Sequence, residues 1–195
     1  MDSIVFVCTG NICRSPMADA FCLQIIGQRN LEVEVASAGV LEAGNRPTRE
    51  GIEAMSEHGL DISPHRSSTI EERLVPPPDL VIAMAREHSR RIADLWPELW
   101  PRTFTLKEFV RLATHTGPRS PGENVEAYLA RVGSHRRISQ LASMVSQEDD
   151  VEDPIGRGLN TYRTCAREIK ELVNALMELL WPETMTAPGT RPPSG

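Results

Sequence analysis

Cys8 and Arg14 bracket the segment Cys8-Thr9-Gly10-Asn11-Ile12-Cys13-Arg14, and Ser15-Pro16 follows at once. A thiolate is a strong nucleophile, and a guanidinium presents a planar fork that matches two oxygens of a phosphoryl group. The preceding run Ile4-Val5-Phe6-Val7 is short and β-branched enough for a buried strand. Ser15-Pro16 reads as a helix cap followed by proline at the first helical position. A loop joining a strand to a helix start aims backbone N–H groups and the positive helix end into one small bowl. Cys8 sits on the floor of that bowl, where both the helix end and Arg14 favour a thiolate. Gly10 permits close backbone approach, and Asn11 tolerates the left-handed conformation that bends such a loop. The segment asks for a tetrahedral oxyanion and nucleophilic attack on it. No Gly-Lys-Ser/Thr follows, which excludes a Walker-type nucleotide loop.

The elements that must hold this loop alternate along the chain. Pro16 to Ile26 has a helical stripe of Met17, Phe21 and Ile25, with Gly27 as its stop. Glu32 to Ala36 alternates charged and apolar residues, the period of a half-buried strand near a sheet edge. Pro47-Thr48 opens a helix with Ile52 and Met55 inward, and a short polar helix ends at Leu74. Asp79 to Met84 is a continuous apolar run suited to a central strand, followed by a polar helix over Arg86 to Leu95. Thr103 to Leu106 is β-prone, and helix resumes at Lys107. Asn160 to Trp181 carries the strongest helical pattern, with Asn160 as candidate cap and Pro182 as stop. This order predicts an α/β fold, a doubly wound four-stranded parallel sheet flanked by helices, with the phosphate loop after the first strand.

A chain of 195 residues suits one domain, over 1–182, with an insertion at about 114–150 and a disordered tail at 183–195. The insertion, rich in Gly, Pro, Ser and charge, with short helical patterns at Asn124 to Val132 and Arg136 to Val145, reads as a solvated surface connection, or as a lid or candidate interaction surface. A net charge of −6 and scattered arginines argue against a nucleic-acid partner. No basic leader is present, and no apolar run approaches the ~20 residues of a membrane span. The expectation is a cytoplasmic protein with no membrane partner. The four cysteines, Cys8, Cys13, Cys22 and Cys165, have neither disulfide-framework nor zinc-ligand spacing, so we expect one reactive thiol, no metal and no cofactor.

The stretch Cys8 to Pro16 resembles the phosphate loop of the low-molecular-weight protein tyrosine phosphatases. The likeness continues through Ser37-Ala38-Gly39, His65-Arg66-Ser67, Asp79 to Met84, Phe104 to Glu108 and Asp153-Pro154. It implies a metal-free mechanism with a phosphocysteine intermediate and a phosphorylated protein as substrate. Carried onto this chain, the resemblance makes Cys8 the nucleophile and Arg14 the phosphate clamp. Asp153 becomes the general acid and then base, on a loop hinged by Gly156 and Gly158. Thr9, Gly10, Asn11, Ile12, Cys13 and Ser15 would surround the phosphoryl group. Ser15 would also hydrogen-bond the Cys8 thiolate, while Asn11, Ser37 and His65 would brace the loop. Cys13 would be a reversible disulfide partner for Cys8.

The same family includes protein arginine phosphatases and arsenate reductases. Members selective for phosphoarginine carry threonine where this chain has Ile12, so the aliphatic residue resembles the tyrosine-directed members. Against that, Val40 to Asn45 offers no aromatic, and no tyrosine follows Asp153-Pro154. Phosphotyrosine hydrolysis is therefore the first expectation and phosphoarginine hydrolysis the alternative. The arsenate reductases relay a disulfide through cysteines after the third strand, and Ala83 to Leu95 contains none. A non-catalytic phosphate-binding module is disfavoured by the intact set Cys8, Arg14 and Asp153.

Overall fold

The computed structural model describes residues 2–136 and 147–183. Four strands, β1 (Asp2–Cys8), β2 (Val33–Gly39), β3 (Leu80–Ala83) and β4 (Thr103–Thr105), form one sheet in the order β2-β1-β3-β4. All three pairings are parallel, with Cys8 opposite Gly39 and Val7 opposite Ala83. Parallel neighbours need crossovers, and helices supply them: α1 (Arg14–Arg29), α2 (Arg49–Ser56), α3 (Ile70–Arg73) and α4 (Arg86–Leu95), while α5 (Leu106–Thr116) follows the last strand. Two more helices follow, α6 (Val125–Gly133) and α7 (Leu159–Leu180). β1 lies between β2 and β3, so the chain reverses its direction of winding there. Its C-terminal end is where open α/β sheets form binding crevices.

β1 is buried on both faces, and its side chains divide between two cores. Ile4, Phe6 and Cys8 face a large apolar cluster shared with α1, α5 and α7, while Val5 and Val7 join Ile70, Leu74, Val81 and Ile92 on the other side. The continuous apolar sequence of β1 follows from this double covering. α7 buries Tyr162, Cys165, Ala166, Ile169, Val173, Leu176, Met177 and Leu180, a stripe three and four residues apart, and packs against α1, α2 and α5.

At the level of the elements, the structure differs from the sequence expectations at four places. α1 runs through Gly27 to Arg29, and the left-handed residue that closes it is Asn30 at φ 50°. A helical glycine costs about 1 kcal/mol, which the packing of Ile25 and Ile26 against the core offsets. At its other end α1 starts at Arg14 with Cys13 as N-cap, so Ser15 and Pro16 lie inside the first turn and Ser15 caps nothing. Asn160 likewise sits inside α7, whose N-cap is Gly158. The fourth difference concerns the insertion. α6 buries Val125, Tyr128, Leu129 and Val132 in the main core, and Asn124 caps it by accepting from the Ala127 N–H at 2.7 Å. Apolar residues at i, i+3, i+4 and i+7 make one face, and burying that face makes α6 part of the body rather than a solvated loop. The expected tail over 183–195, apart from Glu183, and most of the second short helix, residues 137–145, lie outside the described residues. No helix among the described residues is long and apolar enough to cross a membrane.

Candidate active site

The loop between β1 and α1 is bent by Asn11, which adopts φ 51°, the left-handed conformation its short polar side chain tolerates. Four of its carbonyls are tied outward to the surrounding scaffold. Cys8 O accepts from Val40 N at 3.2 Å, Thr9 O from Leu41 N at 3.0 Å, and Ile12 O from Thr48 N at 3.0 Å. Asn11 O lies 2.9 Å from His65 Nε2, and a carbonyl can only accept, so that nitrogen carries the hydrogen. Carbonyls turned outward leave the loop's N–H groups facing inward, which is the nest geometry that holds anions. Gly39 completes the support: a Cβ there would meet Asn11 N, Gly10 C and Thr9 O at 3.0 Å, so any larger residue would have to push the loop away from the end of β2.

At the floor, Cys8 Sγ lies 3.1 Å from Ser15 Oγ. Ser15 Oγ also accepts from Asn11 Nδ2 at 2.9 Å and reaches the Ala38 carbonyl at 3.3 Å. One hydroxyl hydrogen therefore has two destinations. With Cys8 as a thiol, the S–H donates to Ser15 and Ser15 donates to Ala38 O. With Cys8 as a thiolate, Ser15 turns its hydrogen to sulfur. The serine that caps nothing is thus placed to follow the ionisation of Cys8.

Arg14, 3% exposed, is held at its far end by Nη1 donating to Val151 O at 3.2 Å. Its Nη2 donates to Thr9 Oγ1 at 3.2 Å and to Asp153 Oδ2 at 2.5 Å, while Nε is buried with no hydrogen-bond partner among the described residues. Asp153 also accepts from Ile155 N at 3.1 Å, and the Cys13 thiol lies 3.9 Å from its other oxygen. The fold therefore brings Cys8, Arg14, Asp153, Asn11, Cys13, Ser15 and His65 to one place. Thr9, Gly10 and Ile12 complete the loop, with the Ile12 side chain within 3.4 Å of where a Gly10 Cβ would be. Burial pushes the Cys13 thiol well up from its ordinary value, reinforced by Cys8 and Asp153. Ser37 departs from expectation. It donates to Asp19 Oδ2 on α1 at 2.9 Å, and bracing of the loop comes instead from Ser68, whose N–H donates to Asn11 Oδ1 at 2.9 Å. The alternation of β2 decides this, because neighbouring residues of a strand point to opposite faces.

The segment carrying Asp153 is fastened by residues that read as an ordinary acidic run. Asp149 is buried and accepts from Arg86 Nη2 at 2.7 Å and Arg111 Nη2 at 2.9 Å. Asp150 Oδ1 accepts from Arg86 N at 2.8 Å, and Val151 N donates to Met84 O at 2.8 Å. Pro154 is buried, and Gly156 at φ +75° turns the chain back toward α7. Neither Asp149 nor His88, whose Nε2 lies 2.9 Å from Thr9 Oγ1, stands out by motif. Both are distinguished only by what the fold places against them. Cys22 and Cys165 are buried core thiols, the latter pushed up to about 12 chiefly by burial.

Residues 3–132 match the family model described as low molecular weight phosphotyrosine protein phosphatase. The chain is 34% identical over 178 residues to a protein-arginine-phosphatase of Bacillus subtilis, covering 91% of this chain and 95% of the relative. It is 37% identical over 107 residues to a probable low molecular weight protein-tyrosine-phosphatase EpsP of Ralstonia solanacearum, covering 54% and 71% respectively. The crystal structure of a low molecular weight protein tyrosine phosphatase from T. tengcongensis superposes with a TM-score of 0.69 at 32% identity, covering 92% of this chain and all 100% of that one.

Proposed function

The chain belongs to the low molecular weight phosphotyrosine protein phosphatase family, and from that premise we propose that it hydrolyses phosphotyrosine in proteins through a phosphocysteine intermediate. The observation that carries this reading is the convergence of Cys8, Ser15, Arg14 and Asp153 on one anion-binding loop. Cys8 Sγ attacks phosphorus, the bond from phosphorus to the tyrosyl oxygen breaks, and Asp153 delivers its proton to that oxygen. Water then attacks the phosphocysteine. Asp153 takes the water's proton, the phosphorus–sulfur bond breaks, and the electron pair returns to sulfur, where Ser15 donates a hydrogen bond to the leaving thiolate. Arg14 and the inward N–H groups hold the equatorial oxygens through both steps, stabilising charge where it concentrates in the transition state. Arg14 Nε, buried and without a hydrogen-bond partner among the described residues, suits one of these oxygens.

A second reading has its own support. The Bacillus subtilis relative, which aligns with nearly the whole chain, is named a protein-arginine-phosphatase. The same thiolate, clamp and acid would serve a phosphorus–nitrogen bond, with the proton going to the guanidino nitrogen. Ile12 supports the tyrosine reading because its aliphatic side chain resembles that of tyrosine-directed members. The deciding experiment compares hydrolysis of phosphotyrosine and phosphoarginine peptides by the wild type and by Cys8→Ser. We expect wild type to prefer phosphotyrosine and C8S to be inactive on both. Preference for phosphoarginine replaces the first reading with the second. Equal activity of wild type and C8S overturns both.

A further inference from the structure

His88 is buried on the first turn of α4, 1% exposed, and reaches the site through a single hydrogen bond. Its Nε2 is 2.9 Å from Thr9 Oγ1, and that same oxygen accepts from Arg14 Nη2 at 3.2 Å. We propose that His88 is a positioning residue for Arg14, acting through Thr9: a neutral imidazole takes the Thr9 hydroxyl hydrogen and so points that oxygen's lone pair at the guanidinium.

The hydrogen-bond inventory leads there. Arg14 has only donors, so Thr9 Oγ1 must accept from it. The single hydroxyl hydrogen is then free to go elsewhere, and His88 Nε2, 2.9 Å away, can accept it in the neutral tautomer that leaves this nitrogen bare. In that role His88 carries its hydrogen on Nδ1, a buried atom with no hydrogen-bond partner among the described residues. An imidazolium would lose the acceptor and set a second positive charge beside Arg14. The surroundings oppose that form. Burial, and secondarily the Arg14 charge, push the His88 pKa down to about 3. The charged groups facing the ring are Arg14 across Thr9 and the exposed Glu87 on its own helix, whose Oε1 is 3.4 Å from Nε2.

The consequence concerns the clamp's orientation. Val151 O holds Nη1 and Thr9 holds Nη2, so two fixed acceptors set the plane of the guanidinium. Asp153 contributes the remaining bond to Nη2, but on the proposed mechanism it must leave Arg14 to handle protons. During turnover, Thr9 is therefore the side-chain acceptor that stays, and His88 keeps it aligned. A hydroxyl released from His88 can rotate its hydrogen toward the guanidinium or the bound oxyanion, and the clamp loses its second fixed point.

This inference rests on the anion-binding reading of the loop, and its test needs no turnover. Phosphate binding would be measured by calorimetry, alongside kcat/KM on a phosphotyrosine peptide, for wild type, H88A, H88Q, T9V and T9V/H88A. H88A and T9V are each expected to weaken phosphate binding roughly tenfold, the scale of one lost hydrogen bond to a charged group. The double variant should bind no more weakly than T9V alone, because both substitutions remove the same relay. H88Q should recover to within about threefold of wild type, since its amide oxygen can reach the Nε2 position and accept. Should H88A not fold, H88F fills the same space without an acceptor and takes its place in the cycle. Multiplicative losses in the double variant overturn the proposal, as does an H88Q as weak as H88A or an H88A that binds like wild type. Wild type that binds phosphate but hydrolyses nothing overturns the phosphatase reading alone.

Discussion

Asp153 in this structure is an internal anion on the phosphate clamp. Its carboxylate lies 2.5 Å from Arg14 Nη2, on a side chain 40% exposed, so it can move away without a large desolvation change. A phosphoryl group entering the loop competes with it for Arg14. The proposed acid therefore has two effects of opposite sign, weakening anion binding and speeding the chemistry. Asp153→Asn separates them. Loss of the carboxylate charge should tighten phosphate binding severalfold, while kcat on a phosphotyrosine peptide falls by about 10²–10⁴, the usual worth of a positioned acid–base group. An aryl phosphate whose leaving group is already a weak base needs less protonation and should lose far less. Measuring kcat for both substrates, with phosphate as inhibitor, tests the assignment. Equal losses on the two leaving groups would remove Asp153 from the role of acid.

One scale up, the segment from Asp149 to Gly158 delivers that carboxylate, and its anchorage is electrostatic. Asp149 is gripped by Arg86 from α4 and Arg111 from α5, while Asp150 and Val151 bond the backbone at the end of β3 and the start of α4. Burial on its own would raise the Asp149 pKa, but hydrogen bonds from Arg111 and Arg86 prevail and hold it below the usual carboxylate range. A depressed folded-state pKa contributes stability that is present above the unfolded value near 4 and is lost as pH falls through the folded one. Asp149→Asn should thus cost about 2 kcal/mol at pH 7, equivalent to roughly 4–8 °C in Tm. The gap to wild type should shrink as pH drops below about 4. Thermal unfolding of both proteins at pH 7 and pH 3 measures this, and a gap that does not change with pH contradicts the latch. Because the side-chain hydrogen bonds of Asp149 come from Arg86 and Arg111, its effect on turnover would run through the placement of Asp153.

For the molecule as a whole, the region from 114 onward is more than an appendage. Arg119 is buried, pairs with Asp2 at 3.1 Å, stacks on the Trp181 ring at 5.3 Å, and its N–H donates to Leu179 O at 2.8 Å. Arg136 lies 3.8 Å from the Phe104 ring centroid and bonds Glu108 at 3.1 Å, which ties the end of α6 back to β4 and α5. α6 thus closes the β4 side of the sheet, burying Tyr128 edge-on against Phe109 with centroids 6.4 Å apart. Leu129→Ala should cost about 2–5 kcal/mol, as for other buried leucines. In urea it should lower the midpoint with the slope unchanged. A loss below about 0.5 kcal/mol, the usual limit for surface sites, would return α6 to the status of a surface decoration.

The sequence by itself determined the strand–loop–helix unit around Cys8 and Arg14, the α/β alternation, the edge place of β2 and the long inner face of α7. These are written in local periods and short spacings, and local order survives without knowledge of the rest of the chain. Asp153 became legible only through a family motif, since its residue type and acidic neighbours describe any solvated turn. The same motif pointed Ser15 at the thiol, but the tertiary structure alone decided that Ser37 turns to Asp19, that Asp149 is drawn between two arginines, and that His88 is set behind Thr9. It also decided that α6 is core. Each of these depends on partners up to 79 residues away, as for His88 and Thr9, and no spacing rule spans that distance. A buried polar group is defined by what satisfies it, and its partner is chosen by packing in three dimensions.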